Sequence, residues 1–212
     1  MIVPAGVAHE FRNSAATISG YLQLLEGKIE PEQKNYIGGM QKELKALQSV
    51  VNDFLSFARP VHLELSKVRL LDLLKETTEE VRVSPAFSST TFSLSGDCPT
   101  ISGDESMLRQ IFINLIRNAA ESIDGTGRKG VVEVRGSASF GGKFATIEIQ
   151  DNGAGIPQQD LARIFTPFFT TKQKGVGLGL AIVQKLVLQH NGTITVESSP
   201  AGSLFRVQLS AE

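Results

Sequence analysis

The sequence predicts an α+β protein in two parts: a helical hairpin that pairs with a second copy into a dimeric four-helix bundle, then a two-layer α/β sandwich. Three observations predict it. Up to Pro60 the large apolar residues recur at steps of three and four, the period of helices. Beyond Pro60, short alternating runs of strand type interleave with helical stretches. Most of those runs are linked by hairpin signals, which places helices and sheet in separate layers.

The first helix is read from Val7, Phe11, Ile18, Leu22 and Leu25, with the small Ser14 and Ala15 in the same stripe. "EGKIEP", residues 26 to 31, breaks it. The second stripe is more regular: Ile37, Met40, Leu44, Leu47, Val51, Phe54 and Ala58 alternate steps of three and four, as in a coiled-coil seam. Pro31 suits a helix start, where its missing N–H has no partner to lose, and Pro60 disfavours further turns. Two helices on a short loop leave an apolar seam uncovered, so a homodimer is expected; the alternative is that the hairpin packs on the rest of its own chain. The boundary gives a hairpin over residues 1–60 and a second domain over residues 61–212.

In the second domain "VHLELSKVRL" and "TTFSLSG" alternate like strands, and "LDLLKETTEEV" reads as a helix. "DESMLRQIFINLIRNAAESI" is a longer helix with acidic residues in its first turn. "GVVEVRGSASF" and "KFATIEIQ" follow as strands joined through "GG". Last come a glycine-rich stretch, the helix "GLGLAIVQKLVLQH" ending at "NG", and the strands "TITVESS" and "SLFRVQLS".

With 212 residues, 41% of them hydrophobic, and a net charge of -1, the composition is that of a soluble globular protein. It has no overall electrostatic pull toward nucleic acid or an anionic membrane. No apolar run reaches the roughly 18 to 20 residues that span a bilayer, and the N-terminus lacks the regions of a signal peptide, so no direct membrane contact is expected of these residues. Cys98 is the single cysteine, which precludes an intramolecular disulfide or a cysteine metal cluster. Both features suit the cytoplasm.

One histidine stands where packing does not require it. His9 is two residues from Val7 and two from Phe11, so at about 100° per residue it points away from both, toward water. Glu10 can engage one ring nitrogen and leave the other free as a nucleophile. Asn13 returns to the face of His9 with an amide able to hold a water. The plain alternative is a solvated bystander.

The second domain holds polar residues suited to phosphate chemistry. Asn114 and Asn118 stand four apart within the apolar run Ile111, Phe112, Ile113, Leu115 and Ile116. Buried carboxamides are costly without partners; a magnesium ion with phosphates would supply them, and so would hydrogen bonds within the protein. In "DNGAGIP", Asp151 at a strand end could accept the exocyclic amine of a purine while Gly153 and Gly155 let the backbone approach; the segment could equally be a turn. "GVGLGL", residues 175 to 180, runs into a helix whose unpaired N–H groups suit an anion. Between them "RIFTPFFTTKQK" reads as a segment closing over a ligand, with Lys172 and Lys174 within reach of phosphate or simply solvated.

In this order the segments resemble the transmitter region of two-component sensor histidine kinases, which ends in an ATP-binding domain of the gyrase, chaperone and histidine-kinase type. "AHEFRN" looks like the phosphoacceptor box, "NLIRNAAES" like the asparagine box, "DNGAGIP" and "GVGLGLAIV" like the two glycine boxes, and "FTPFF" like the phenylalanine box. "HEFRN", "NAAES" and "FTPFFTTK" look most like the nitrogen-regulator type. The resemblance implies that His9 attacks the terminal phosphorus of ATP, with Glu10 as base. It implies that Asn118 ligands Mg2+ with Asn114 close by and that Asp151 holds the adenine amine. Gly153, Gly155, Gly175, Gly177 and Gly179 would line the nucleotide and its lid. The partner it implies is a response regulator receiver domain, which takes the phosphoryl group on an aspartate; Glu10 with Asn13 resembles the pattern tied to the reverse, phosphatase activity.

The chain departs from the family at Ser14, where members commonly carry proline, and in having only eight residues before His9. It is expected to be a fragment of a longer protein, compatible with a membrane anchor elsewhere. The rival readings are an ATP-hydrolysing conformational machine, an inactive dimeric signalling scaffold and a serine kinase on the same nucleotide fold. Against the first, such machines place a general-base glutamate where this chain has Asn114.

Overall fold

The computed structural model describes residues 5–30, 33–58, 62–139, 141–172 and 175–211, with the side chains of all but residues 5–12, 49, 53 and 56. The chain divides into two units, Met1–Pro60 and Val61–Glu212.

In the first unit α1 (Ala5–Glu26) packs on α2 (Lys34–Ala58). Ala15 and Leu22 of α1 and Ile37 and Leu55 of α2 are buried. Ile18, Leu25, Met40, Leu47 and Phe54, from the same stripes, stay exposed, Met40 at 56%. A single helix–helix contact covers only a narrow seam, so these described residues of each stripe are left bare. Pro31 and Pro60, expected to start and end the second helix, lie outside the described residues.

The second unit runs β1 (Ser66–Arg69), α3 (Leu70–Arg82), β2 (Thr90–Gly96), β3 (Thr100–Gly103), α4 (Glu105–Glu121), β4 (Gly130–Ala138), β5 (Phe144–Asp151), α5 (Gly179–Gln189), β6 (Thr193–Ser199) and β7 (Gly202–Ser210). The five-stranded sheet has the order β2-β4-β5-β7-β6; β2 is parallel to β4 and the other pairs are antiparallel. Inward residues alternate along the strands: Val132 and Val134, then Ala145, Ile147 and Ile149, then Phe205, Val207 and Leu209. They form a core with Leu108, Ile111, Phe112 and Leu115 of α4 and Ile182 and Leu186 of α5. On the other face Arg135 stands opposite Glu148, which stands opposite Arg206. Arg206 reaches Glu148 at 2.8 Å and Glu197 at 3.1 Å. Exposed pairs of this kind contribute only about 0.2–1 kcal/mol each, so the helix-covered face holds the sheet together.

Two differences from the expected elements share one cause. Within "VHLELSKVRL" only Ser66–Arg69 is strand, and it pairs with β3, which the sequence pattern does not announce. β3 is four residues long with Ile101 as its one large apolar residue, too short for a period to register, and β1 ends where its partner ends.

Asp104 fixes the start of α4. Its Oδ1 accepts from Met107 N at 3.1 Å and Ser106 Oγ at 2.7 Å, and its Oδ2 accepts from Glu64 N at 3.0 Å. Its own N–H donates to His190 Nε2 at 3.1 Å, so the neutral ring carries its proton on Nδ1, 2.8 Å from Leu186 O. His190 is thus a structural clasp between the end of α5 and the beginning of α4. Burial opposes the charge of Asp104, but the hydrogen bonds from Glu64, Ser106 and Met107 outweigh it and hold the carboxyl below the usual range. Its contribution to stability is therefore present above the unfolded value of about 3.9 and lost as pH falls through the lower folded value. Asp104→Ala is expected to cost about 1–2 kcal/mol in urea unfolding at neutral pH, a penalty that shrinks in acid.

Candidate active site

α4 carries the two asparagines one turn apart, at its junction with α5. Asn114 is buried, and its Oδ1 accepts from Arg117 Nη2 at 2.9 Å, so the protein itself meets part of this carboxamide's demand. Gly179 opens α5 directly above the pair: a Cβ there would stand 3.7 Å from Asn114 Oδ1 and 3.9 Å from Asn118 Nδ2. Leu178 provides no side-chain cap, which leaves the first N–H groups of α5 for an anion.

Lys172 reaches the same place from the loop before α5. Its Nζ lies 3.2 Å from Asn118 Oδ1 and pairs with Glu121 one turn further along α4. Thr170 Oγ1 accepts from Lys172 N at 3.1 Å, and a Cβ on Gly175 would meet that hydroxyl at 2.6 Å. The phenylalanine-rich turn closes on the second glycine turn through Phe168 N and Gly177 O, 2.9 Å apart. Arg163 lies 4.5 Å above the Phe169 ring. Lys174 lies outside the described residues.

Asp151 ends β5, buried. Its Oδ1 accepts from Gly153 N at 2.8 Å, Ser122 Oγ at 2.9 Å and Ser203 N at 3.3 Å, while Oδ2 has no hydrogen bond among the described residues. Burial pushes the carboxyl above its ordinary range, against the pull of Gly153, Ser122, Ser203 and the Lys172 ammonium. Gly153 is required by close approach, since a Cβ would fall 2.0 Å from Ser122 Oγ. Gly155 needs glycine twice over, at φ +73 and because a Cβ there would fall 1.9 Å from Ser199 O. Arg128 staples this loop by donating to the carbonyls of Asn152, Gly153 and Pro200. A cavity of about 350 Å³ lies behind the last turn of α4, lined by Phe87, Ala120, Ile123 and Asp124 among others; Asp151 and the asparagines do not line it.

The second unit therefore gathers Asn114, Asn118, Lys172 and Gly179 at one end of a cluster. Asp151, Gly153 and Gly155 stand at the other, joined to the first group through the C-terminal turn of α4. Ser122, Glu121, Arg117 and Ser203 belong to this arrangement and were not singled out from the sequence. Ser122 carried a readable signal, four residues beyond Asn118 on the same helix; Ser203 contributes a backbone N–H from a distant strand, which residue type does not reveal.

In the first unit residues 9, 10 and 13 lie within α1. The side chains of His9 and Glu10 fall outside the described set. Asn13 is exposed, and its carbonyl accepts from Thr17 Oγ1 at 2.9 Å.

This arrangement, a helix bearing asparagines against a glycine turn and an aspartate at a strand end, coincides with a family profile. That of the histidine kinase-, DNA gyrase B- and HSP90-like ATPases matches residues 103–212, more than half of the chain. The chain belongs to this ATPase family. The profile of the His Kinase A (phospho-acceptor) domain matches residues 5–62, and the two in succession make up the transmitter region of a sensor histidine kinase. Sporulation kinase C of Bacillus subtilis is 34% identical over 97% of this chain and 47% of its own length. AtoS of Escherichia coli is 35% identical over 97% of this chain and 34% of its own length. The chain spans less than half of these relatives. Full-length ShkA, solved in complex with AMPPNP, superposes with a TM-score of 0.81 at 31% identity, over 98% of this chain and 45% of its own. ThkA, solved with the response regulator protein TrrA, gives 0.69 at 27% identity, over 98% of this chain and 60% of its own.

As a member of this family the second unit presents an ATP-binding fold, with the asparagines, glycines and aspartate gathered around the C-terminal turns of α4. A divalent cation is compatible with the site: Asn118 Oδ1 already faces a positive charge, the ammonium of Lys172, with the Glu121 carboxylate beside it. Among the described residues no group of three or more His, Cys, Asp or Glu could hold a metal, so a cation here would rely on amide oxygen and non-protein ligands, as magnesium does. Among the same residues no helix is long and apolar enough to cross a membrane.

Proposed function

We propose that the chain is the cytoplasmic transmitter of a sensor histidine kinase that phosphorylates itself on His9 and hands the phosphoryl group to an aspartate of a response regulator receiver domain. Residues 1–60 serve as the dimerisation and phosphotransfer hairpin, and residues 61–212 bind ATP. The observation that carries the reading is the convergence of Asn118, Lys172, Gly179 and Asp151 on the last turns of α4, in a chain whose residues 5–62 match a phosphoacceptor domain.

Asp151 Oδ2 accepts from the adenine amine, and Gly153 and Gly155 let the backbone lie against the ring. The N–H groups that open α5, with Lys172, Gly175 and Gly177 in the adjoining lid, hold the phosphates. Asn118, backed by Asn114, holds Mg2+, which when bound neutralises charge on the phosphate oxygens. On His9 a ring nitrogen forms a bond to the γ-phosphorus as the bond from phosphorus to the bridging oxygen of ADP breaks, and Glu10 takes the ring proton. Beyond the proton transfer, the step depends on in-line positioning of the imidazole against the γ-phosphorus. In the reverse direction Glu10 and Asn13 orient a water toward the phosphorylated regulator. "HEFRN", "NAAES" and "FTPFFTTK" support the nitrogen-regulator type within the family.

The bare part of the hairpin stripe, with Met40 and Leu47 at least half exposed, supports the homodimer. Asn114 argues against water-driven hydrolysis, because a carboxamide held by Arg117 cannot act as a general base. Incubation with γ-labelled ATP and magnesium is expected to leave label that is lost in acid and kept in alkali, the signature of a phosphoramidate. Acid-stable label would point to a serine ester and overturn the assignment.

A further inference from the structure

Ser122 belongs to no part of the proposed chemistry, yet four contacts converge on it. It caps the C-terminus of α4, where its N–H donates to Asn118 O at 3.0 Å. Its carbonyl accepts from Ala154 N at 3.1 Å. Its hydroxyl lies 2.8 Å from Ala119 O and 2.9 Å from Asp151 Oδ1. One residue thus ties the helix bearing the asparagines to the loop bearing the glycines and to the aspartate.

We propose that Ser122 is a positioning residue for nucleotide recognition: its hydroxyl, with the N–H groups of Gly153 and Ser203, saturates Asp151 Oδ1 and so aims Oδ2 at the purine amine. The proposal rests on the nucleotide-binding reading above. The geometry leaves little freedom, because Oδ1 accepts from three donors on three separate segments. A carboxylate so held cannot rotate without breaking all of them.

The hydroxyl also ties recognition to charge. It has a single proton, so it donates to Asp151 or to Ala119 O but not to both. An ionised carboxylate takes it, since charge-assisted hydrogen bonds are about twice as strong as neutral ones. A protonated carboxyl presents its own O–H, a donor facing the donor amine of adenine. Adenine binding therefore requires the ionised form, and Ser122 favours that form against the burial of the site. The charged group that bears on Asp151 is Lys172 in the loop, whose ammonium pairs with Glu121 of α4; nearby, Arg128 donates to the carbonyls of Asn152 and Gly153.

The test is the affinity for ADP, by calorimetry on the full chain, followed from the ordinary carboxylate range upward in pH. Wild-type affinity is expected to fall with decreasing pH as Asp151 takes up its proton. Ser122→Ala should move the midpoint up by about one pH unit, weakening ADP about tenfold at the acid end and less than about threefold at the alkaline end. Ser122→Cys, with a weaker donor of similar shape, should fall between the two and serves if the alanine variant does not fold. A loss of the same factor at every pH, or wild-type midpoints in both variants, would overturn the role of Ser122 while leaving the nucleotide reading intact. Absence of ADP binding by the wild type, or Asp151→Asn binding ADP as the wild type does, would overturn both.

Discussion

His9→Ala is expected to lose all acid-labile label from γ-labelled ATP while its affinity for ADP stays within about twofold of wild type, since no residue assigned to the nucleotide is changed. Autophosphorylation ends in a bond between nitrogen and phosphorus, and alanine has no atom that can form it. Every residue assigned to the nucleotide lies in the unit Val61–Glu212, whereas His9 lies in Met1–Pro60. Glu10→Gln makes the contrast informative: it keeps the nucleophile and removes only the proton acceptor, so a slowing of about 10²- to 10⁴-fold is expected, with label still accumulating on His9. The measurement is peptide mapping of label under alkaline conditions, alongside ADP titration of both variants. Wild-type labelling of the alanine variant would remove His9 from the mechanism. Loss of ADP binding along with the label would instead mean that the substitution had damaged the fold.

The long elements were legible because their burial is periodic. Leu108, Ile111, Phe112 and Leu115 recur at helical spacing, and Ala145, Ile147 and Ile149 alternate as a half-buried strand must. β3 was not legible: four residues carry no period, and its role is to give β1 an edge and to deliver Asp104 to the start of α4. The candidate site shows the same division. Asn118 and Asp151 could be picked out because a carboxamide in an apolar helix and a carboxylate at a strand end are costly placements that need a reason. That Gly179 lies over Asn114, or that Ser203 donates to Asp151 across 52 positions of sequence, follows from tertiary packing and leaves no local trace. His9 stood out by the opposite logic, since its spacing in the sequence sets it away from the apolar stripe of Val7 and Phe11.

Asp151→Asn is expected to weaken ATP by about 100-fold or more, well beyond the roughly tenfold worth of an ordinary hydrogen bond, because the change installs a repulsion. The three donors on Oδ1, from Gly153, Ser122 and Ser203, demand an acceptor and will orient the new amide with its oxygen toward them. Its NH2 group then occupies the place of Oδ2 and points a donor at the donor amine of adenine. The same orientation suits a purine with an oxygen at that position, so inosine triphosphate should lose far less than ATP, and the preference between the two should narrow or reverse. This outcome distinguishes a directed amide from a merely damaged pocket, which would weaken both nucleotides alike. Stability adds an independent check. Burial raises the Asp151 carboxyl above its unfolded value, so its contribution is present below about pH 3.9 and is lost as pH rises through the folded value. The asparagine variant has no proton to release there, so its thermal stability without nucleotide should fall less than that of the wild type as pH is raised through that interval. Equal loss of ATP and inosine triphosphate, with an unchanged pH dependence of unfolding, would remove Asp151 from purine recognition.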